Sequence, residues 1–157
     1  MIEKFVLDNG IRIVCEKIPY LRSVSLGVWV GTGSRNEDKT NNGISHLIEH
    51  MLFKGTKNRT AKDIAAAIDS IGGLINASTG KEYTCYYTKT LDTHIDVAVD
   101  VLADMFFNSL FNEKDINIEK QVVLEEINMY EDTPDDLVHD ILAEVMWNGD
   151  ALGYPIL

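Results

Sequence analysis

Basic residues are in short supply. Fourteen lysines and arginines stand against 25 aspartates and glutamates, a formal charge of −11. So negative a chain argues against nucleic acid as a partner. It mildly favours basic peptides, although acidity more often serves solubility. Cysteine is nearly absent. Cys15 and Cys85 lie 70 positions apart in strand-like runs and form no pair of metal-ligand spacing. Two structural thiols in a reducing compartment are expected rather than a disulfide. No apolar run is long enough to span a bilayer, and Met1-Ile2-Glu3-Lys4 opens directly into a strand pattern. A signal peptide, a transit peptide and membrane contact are therefore not expected, and cytoplasm is the expected compartment. No repeat or low-complexity tract occurs. Histidine is confined to His46, His50, His94 and His139.

What remains is an ordinary globular composition, 45% apolar and 25% charged over 157 residues, enough for one domain with a real core. Phe5-Val6-Leu7, Asp8-Asn9-Gly10 and residues 11–18 read as a hairpin turned at Asn9-Gly10. Val24, Leu26, Val28 and Val30 alternate with Ser25, Gly27 and Trp29, a strand with one face in the core. Residues 31–43 are turn formers and charges, a loop leading to a helix at 43–53 that ends near Gly55-Thr56. Thr60, with Asp63 three residues on, caps a second helix whose core face is Ile64, Ala67, Ile68 and Ile71 and which stops at Gly72-Gly73. Strands follow at 74–78 and 83–91. Asp92 is expected to cap a third helix, Asn112 a fourth reaching Tyr130, and Thr133-Pro134 a fifth ending near Asn148-Gly149. Strands first and helices after predict an α+β fold, an antiparallel or mixed sheet with helices packed on one face.

The chemistry is concentrated in His46-Leu47-Ile48-Glu49-His50. At i, i+3 and i+4 these side chains share one helix face. Two imidazoles so placed can grip one Zn²⁺, and the carboxylate can take a proton from water activated by the ion. Ile44, Leu47, Ile48, Met51, Leu52 and Phe53 make the helix apolar nearly all round, so it is expected to be buried. Burying His, Glu and His without a compensating charge is costly, and a metal supplies that charge. The alternative is a helix with two core histidines and one paired glutamate.

A catalytic zinc usually has a third protein ligand. His94 and His139 sit on amphipathic helices and are expected at the surface. Glu126 is flanked one turn away by Val122, Val123, Met129 and Tyr130, whereas Glu125 is flanked by Gln121, Val122, Asn128 and Met129. Glu126 thus looks inward on an apolar stripe and Glu125 outward. Glu119, two turns before Glu126, shares its face and can hydrogen-bond to a ligating imidazole or to the water. The alternative pairs Glu126 with a lysine or arginine.

The His46 to His50 run matches the HxxEH pattern of the inverzincins. The longer stretch Gly43-Ile44-Ser45-His46-Leu47-Ile48-Glu49-His50-Met51-Leu52-Phe53-Lys54-Gly55-Thr56 resembles the signature of the pitrilysin family, which includes insulin-degrading enzyme, the mitochondrial processing peptidase and bacterial relatives. In that family a distal glutamate completes the site, and the matching position, 76 residues after His50, is Glu126. The family's glutamate seven residues earlier corresponds to Glu119. Gly72-Gly73-Leu74-Ile75-Asn76-Ala77-Ser78-Thr79 is similar to the family's GG..NA.T segment, whose strand edge pairs with substrate. Leu152-Gly153-Tyr154-Pro155-Ile156-Leu157 is similar to its LGxPI segment. Glu125 to Asp132 with Pro134 resembles the bacterial processing-protease-like members most.

The resemblance implies a zinc metalloendopeptidase that hydrolyses unstructured peptides or presequences. His46, His50 and Glu126 would hold the metal, Glu49 would be the base, and Glu119 would support a ligating imidazole or the water. Asn76, Ala77 and Ser78 would pair with an extended peptide. Residues 1–157 would be the N-terminal zinc-peptidase domain, ending before that domain is complete, with a second homologous half or subunit as partner. Two rivals stand beside this: a non-catalytic scaffold subunit of the same family, and a zinc-stabilised structural domain. Structural zinc sites are usually closed and rich in cysteine, which this chain is not.

Overall fold

Apolar residues at every second position from Val24 to Val30 make the strand on which the layers are laid. The computed structural model describes residues 2–157. In it this strand is β3 (Ser23–Val30), and its even-numbered side chains are the half-buried ones. It pairs antiparallel with β5 (Thr84–Leu91), Ser23 opposite Leu91 and Val30 opposite Thr84. β5 pairs antiparallel with β4 (Leu74–Thr79), Leu74 opposite Lys89 and Thr79 opposite Thr84. The order β3-β5-β4 puts β5 in the middle and leaves β4 with one open edge. Strand alternation sends Thr84, Tyr86, Thr88 and Thr90 to one face, where all four are buried.

Helices cover that face. Leu52, Ile64, Ile68, Tyr86, Val101, Leu102 and Met105 form the core, with the Phe106 ring edge-on to Tyr86 at 5.0 Å between centroids. Burial of each large side chain contributes about 1.5–3 kcal/mol. The opposite face is more open, with Trp29 and Lys89 exposed, although Cys85 on it is buried. The fold is α+β, its sheets antiparallel throughout and its helices on one side.

β1 (Ile2–Val6) and β2 (Arg12–Glu16) form the expected hairpin as a separate two-stranded sheet. Its turn is held by the Ile11 N–H donating to Asn9 Oδ1, 3.1 Å. All residues of both strands are exposed. Cys15 on β2 is therefore an exposed free thiol, not a structural one, because β2 stands outside the core; Cys85, also free, is buried.

The helices are α1 (Ile44–Leu52), α2 (Ala61–Asp69), α3 (Ile95–Asn108), α4 (Glu113–Glu131) and α5 (Pro134–Met146). Thr60 and Asp63 cap α2 reciprocally, Asn112 caps α4, and Pro134 sits in the first turn of α5. Asp92 differs from expectation. It opens a short 3₁₀ turn ahead of α3, and its carboxylate takes the Arg22 guanidinium, Nε to Oδ2 2.8 Å and Nη2 to Oδ1 2.9 Å. A bidentate charged partner outcompetes a helix cap for the same oxygens.

Two burial expectations are also corrected. α1 is not buried all round: Ser45, Met51 and Leu52 are covered, but Ile44 and Ile48 each expose 40%. The core and α4 meet only part of its circumference. The apolar stripe around Glu126 is likewise half open, with Met129 66% exposed. The buried residue of α4 is Glu119.

Past α1, the chain is pinned to α3 through Asp104. Its carboxylate accepts from Thr56 Oγ1 (2.7 Å), Asn58 Nδ2 (2.6 Å), Arg59 Nη1 (2.8 Å) and Asn108 Nδ2 (2.9 Å). Burial alone would raise the pKa of Asp104; these bonds outweigh it and hold the acid far below the ordinary carboxylate range. Among the described residues, no helix is long and apolar enough to cross a membrane.

Candidate metal centre

α1 and α4 pack together, and the packing brings the histidine face of one against the inward face of the other. His46 and His50 stand one turn apart, their ring centroids 4.6 Å from each other and their planes at 68°. Both present Nε2 to Glu126. Glu126 Oε2 lies 3.4 Å from His50 Nε2 and 3.8 Å from His46 Nε2. One atom from each of the three residues falls within 4.8 Å of the others. Donors arranged tetrahedrally at about 2.0–2.1 Å from an ion lie about 3.3 Å apart. The observed separations match that spacing closely enough for small side-chain adjustments to complete it. His46, His50 and Glu126 could hold a metal ion, and three protein ligands of this kind are typical of catalytic rather than structural zinc sites.

The titration of His46 suits the same role. Burial, and then the neighbouring His50 ring, hold the His46 imidazole below its ordinary pKa, against the opposing pull of Glu49, Glu126 and Glu37. A ligating imidazole must be neutral. His46 Nδ1 is buried without a partner. His50 Nδ1 has one: Glu119 Oε2, 3.1 Å away. The other Glu119 oxygen meets Lys54 Nζ at 2.5 Å. Glu119 exposes 3% of its side chain and Glu126 34%. The two acids on one face of α4 thus have separate places, one behind His50 and one in front of it.

Glu49 does not join the His46, His50 and Glu126 group. Its Oε2 accepts a hydrogen bond from Thr79 Oγ1 at 2.5 Å, at the end of β4. Burial, and then the Glu49 charge, push the Tyr86 hydroxyl well above its ordinary pKa. Asn76 and Ser78 on β4 are exposed, and Ala77 is half-buried. The Ala77 N–H is taken by the Asn76 side-chain oxygen, 2.9 Å, on the strand's open edge. Glu125 and His139 are exposed and His94 is half-buried, none of them in the cluster.

Sequence reasoning missed two residues. Thr79 follows the strand named as the peptide edge, but nothing in its spacing links it to Glu49; only the β4–α1 packing does. Glu37 lay unnoticed in a loop of turn formers, yet it is buried and bonded to the start of α1. A signal existed: Gly43 has no side chain with which to cap the helix that follows it.

The sequence profile described as "Insulinase (Peptidase family M16)" matches residues 12–157. A Bacillus subtilis protein described as an uncharacterized zinc protease, YmxG, is 57% identical over 157 residues, all of this chain and 38% of that protein. A Streptomyces coelicolor protein with the same description is 49% identical over 156 residues, covering 99% of this chain and 34% of its own length. The chain therefore spans little more than a third of these relatives. Among solved structures, a protease from Helicobacter pylori superposes with a TM-score of 0.94 at 27% identity, over 98% of this chain and 38% of that one. A domain described as an inactive M16 peptidase domain, from Pseudomonas fluorescens, gives 0.88 at 15% identity over 99% of this chain and 38% of its own. That last likeness concerns the fold alone.

Proposed function

The chain belongs to the insulinase family, peptidase family M16, and from that premise we propose that it is the metal-binding part of a zinc-dependent endopeptidase acting on extended peptides. The observation that carries the reading is the convergence of His46 Nε2, His50 Nε2 and Glu126 Oε2. These three side chains bind the ion. When bound, zinc supplies a Lewis acid that polarises the scissile carbonyl and acidifies water. Glu119 holds the His50 ring through Nδ1, which orients Nε2 and raises its basicity. Glu49, outside the ligand group and steadied by Thr79, takes the proton of the attacking water and delivers it to the leaving amine.

The peptide lies along β4. Its open edge, at Asn76, Ala77 and Ser78, offers backbone groups to an extended chain, with Asn76 releasing the Ala77 N–H on binding. Recognition of this kind reads backbone more than side chains, which favours unstructured substrates. We read residues 1–157 as the N-terminal zinc-peptidase domain, and because the chain spans only 38% of the Bacillus relative we expect a second homologous half or subunit to close the site from the other side. An inactive domain shares this fold, so the fold does not decide activity; the complete donor set here is what favours an enzyme over a scaffold subunit.

The test is zinc content and peptide hydrolysis by the full-length protein, with and without chelator. About one zinc per chain is expected, with turnover abolished by the chelator and restored by zinc. Absence of both zinc and turnover would sink the proposal, and zinc without turnover would make the site structural.

A further inference from the structure

We propose that Glu37 is a positioning residue for the metal-binding helix and that, through the first turn of α1, it sets the place of His46; the consequence for zinc rests on the peptidase function proposed above. α1 starts at a residue with no means of capping it. Gly43 occupies the N-cap position with φ +85°, in the left-handed region, and makes no side-chain cap. The first N–H groups of a helix have no partners within it, and leaving them bare in a buried place is costly. Glu37, only 6% exposed, reaches over from six residues upstream. Its Oε2 accepts from the Gly43 N–H at 2.7 Å and from Asn42 Nδ2 at 3.1 Å, and its Oε1 accepts from the Ser45 N–H at 2.8 Å. Burial on its own would raise the Glu37 pKa; the bonds from Ser45, Asn42 and Gly43 overcome that and keep it charged, facing the positive end of the helix.

Two oxygens on two N–H groups, two residues apart, fix both the rotation and the advance of the first turn. The next residue is His46. The two histidines are held differently. His50 has Glu119 behind its ring. His46 Nδ1 is buried with no partner, so the ring takes its place from the backbone that carries it, and Glu37 holds that backbone.

Glu37 is itself anchored. The turn that carries it is clipped to the β4–β5 hairpin by the Ser34 N–H on the Gly80 carbonyl (3.2 Å) and the Arg35 N–H on the Lys81 carbonyl (2.8 Å). The approach is so close that a Cβ on Gly33 would lie 2.2 Å from the Gly80 oxygen. Gly80 follows Thr79, the partner of Glu49. Glu37 is thus a strut that ties the start of the metal-binding helix to the end of the strand proposed to bear the peptide.

The experiment compares wild type, Glu37→Gln and Glu37→Ala in the full-length protein. It measures zinc affinity by chelator competition, the Tm of the metal-free protein, and kcat and KM at saturating zinc. Glu37→Gln keeps one acceptor oxygen and should weaken zinc binding about tenfold, and Glu37→Ala about a hundredfold, the range over which residues behind a ligand act. KM should hold while kcat falls, because Glu49 rides on the same helix. Should Glu37→Ala fail to fold, Glu37→Gln decides. A lowered Tm with wild-type zinc affinity and kcat in Glu37→Gln would make Glu37 a stabilising cap only and overturn the proposal. Wild-type protein that takes up no zinc would overturn the peptidase function, and this inference with it.

Discussion

Glu119 Oε2 lies 3.1 Å from His50 Nδ1, on the side of the ring away from Glu126. One helix thus supplies both an acid in front of His50 and an acid behind it, seven residues apart. If Glu119 orients the ligating ring, Glu119→Gln should keep the fold and weaken zinc binding about ten- to a hundredfold. Chelator competition measures it. Wild-type affinity in this variant would leave Glu119 as a partner of Lys54 alone.

The neighbouring acids of α4 give a sharper contrast. Glu126 faces His46 and His50, whereas Glu125 is exposed. Glu126→Gln should come out of purification depleted of zinc and Glu125→Gln loaded with it. Metal analysis with the two results exchanged would reverse the assignment.

Glu49 separates binding from chemistry. It hydrogen-bonds to Thr79 and stands outside the ligand group. Glu49→Gln keeps the shape and much of the hydrogen bonding but cannot accept a proton as a base. Zinc per chain and peptide binding should be near normal, with turnover down by about 10²-fold or more. A zinc-free Glu49→Gln protein would make Glu49 a ligand, and a fully active one would place the base elsewhere.

Asp104 predicts how stability depends on pH. Its folded pKa is depressed, so the unfolded chain binds a proton first as pH falls. Its contribution is complete above the ordinary aspartate pKa of about 3.9 and is lost progressively below it. Asp104→Ala should cost about 3 kcal/mol at neutral pH, because it leaves Arg59 and three polar groups without their buried acceptor. Denaturant melts of both proteins between neutral pH and about pH 3 should converge toward the acid end. Parallel curves would show that the carboxylate does not carry the effect.

Local patterns determined much of this protein. Two-residue alternation gave β3 its half-buried face, the Thr60–Asp63 pair and Asn112 placed two helix starts, and i, i+4 spacing put His46 and His50 on one face. The choice of Glu126 over Glu125 also came from helix periodicity, since one position on a helix is 100° of rotation. Each of these is set by residues within a turn or two of one another, where backbone geometry leaves little choice.

Tertiary structure decided the rest. How far the stripe around Glu126 is covered depends on what packs against α4, and Met129 proved exposed. Asp92 turned to Arg22, 70 residues away, rather than to its own helix. Thr79 met Glu49 because β4 packs on α1, and Glu37 reached Gly43 and Ser45 because a turn is clipped to a hairpin far along the chain. A polar side chain takes whichever partner the fold brings within about 3 Å, and periodicity, which sees only near neighbours, carries no record of that distance.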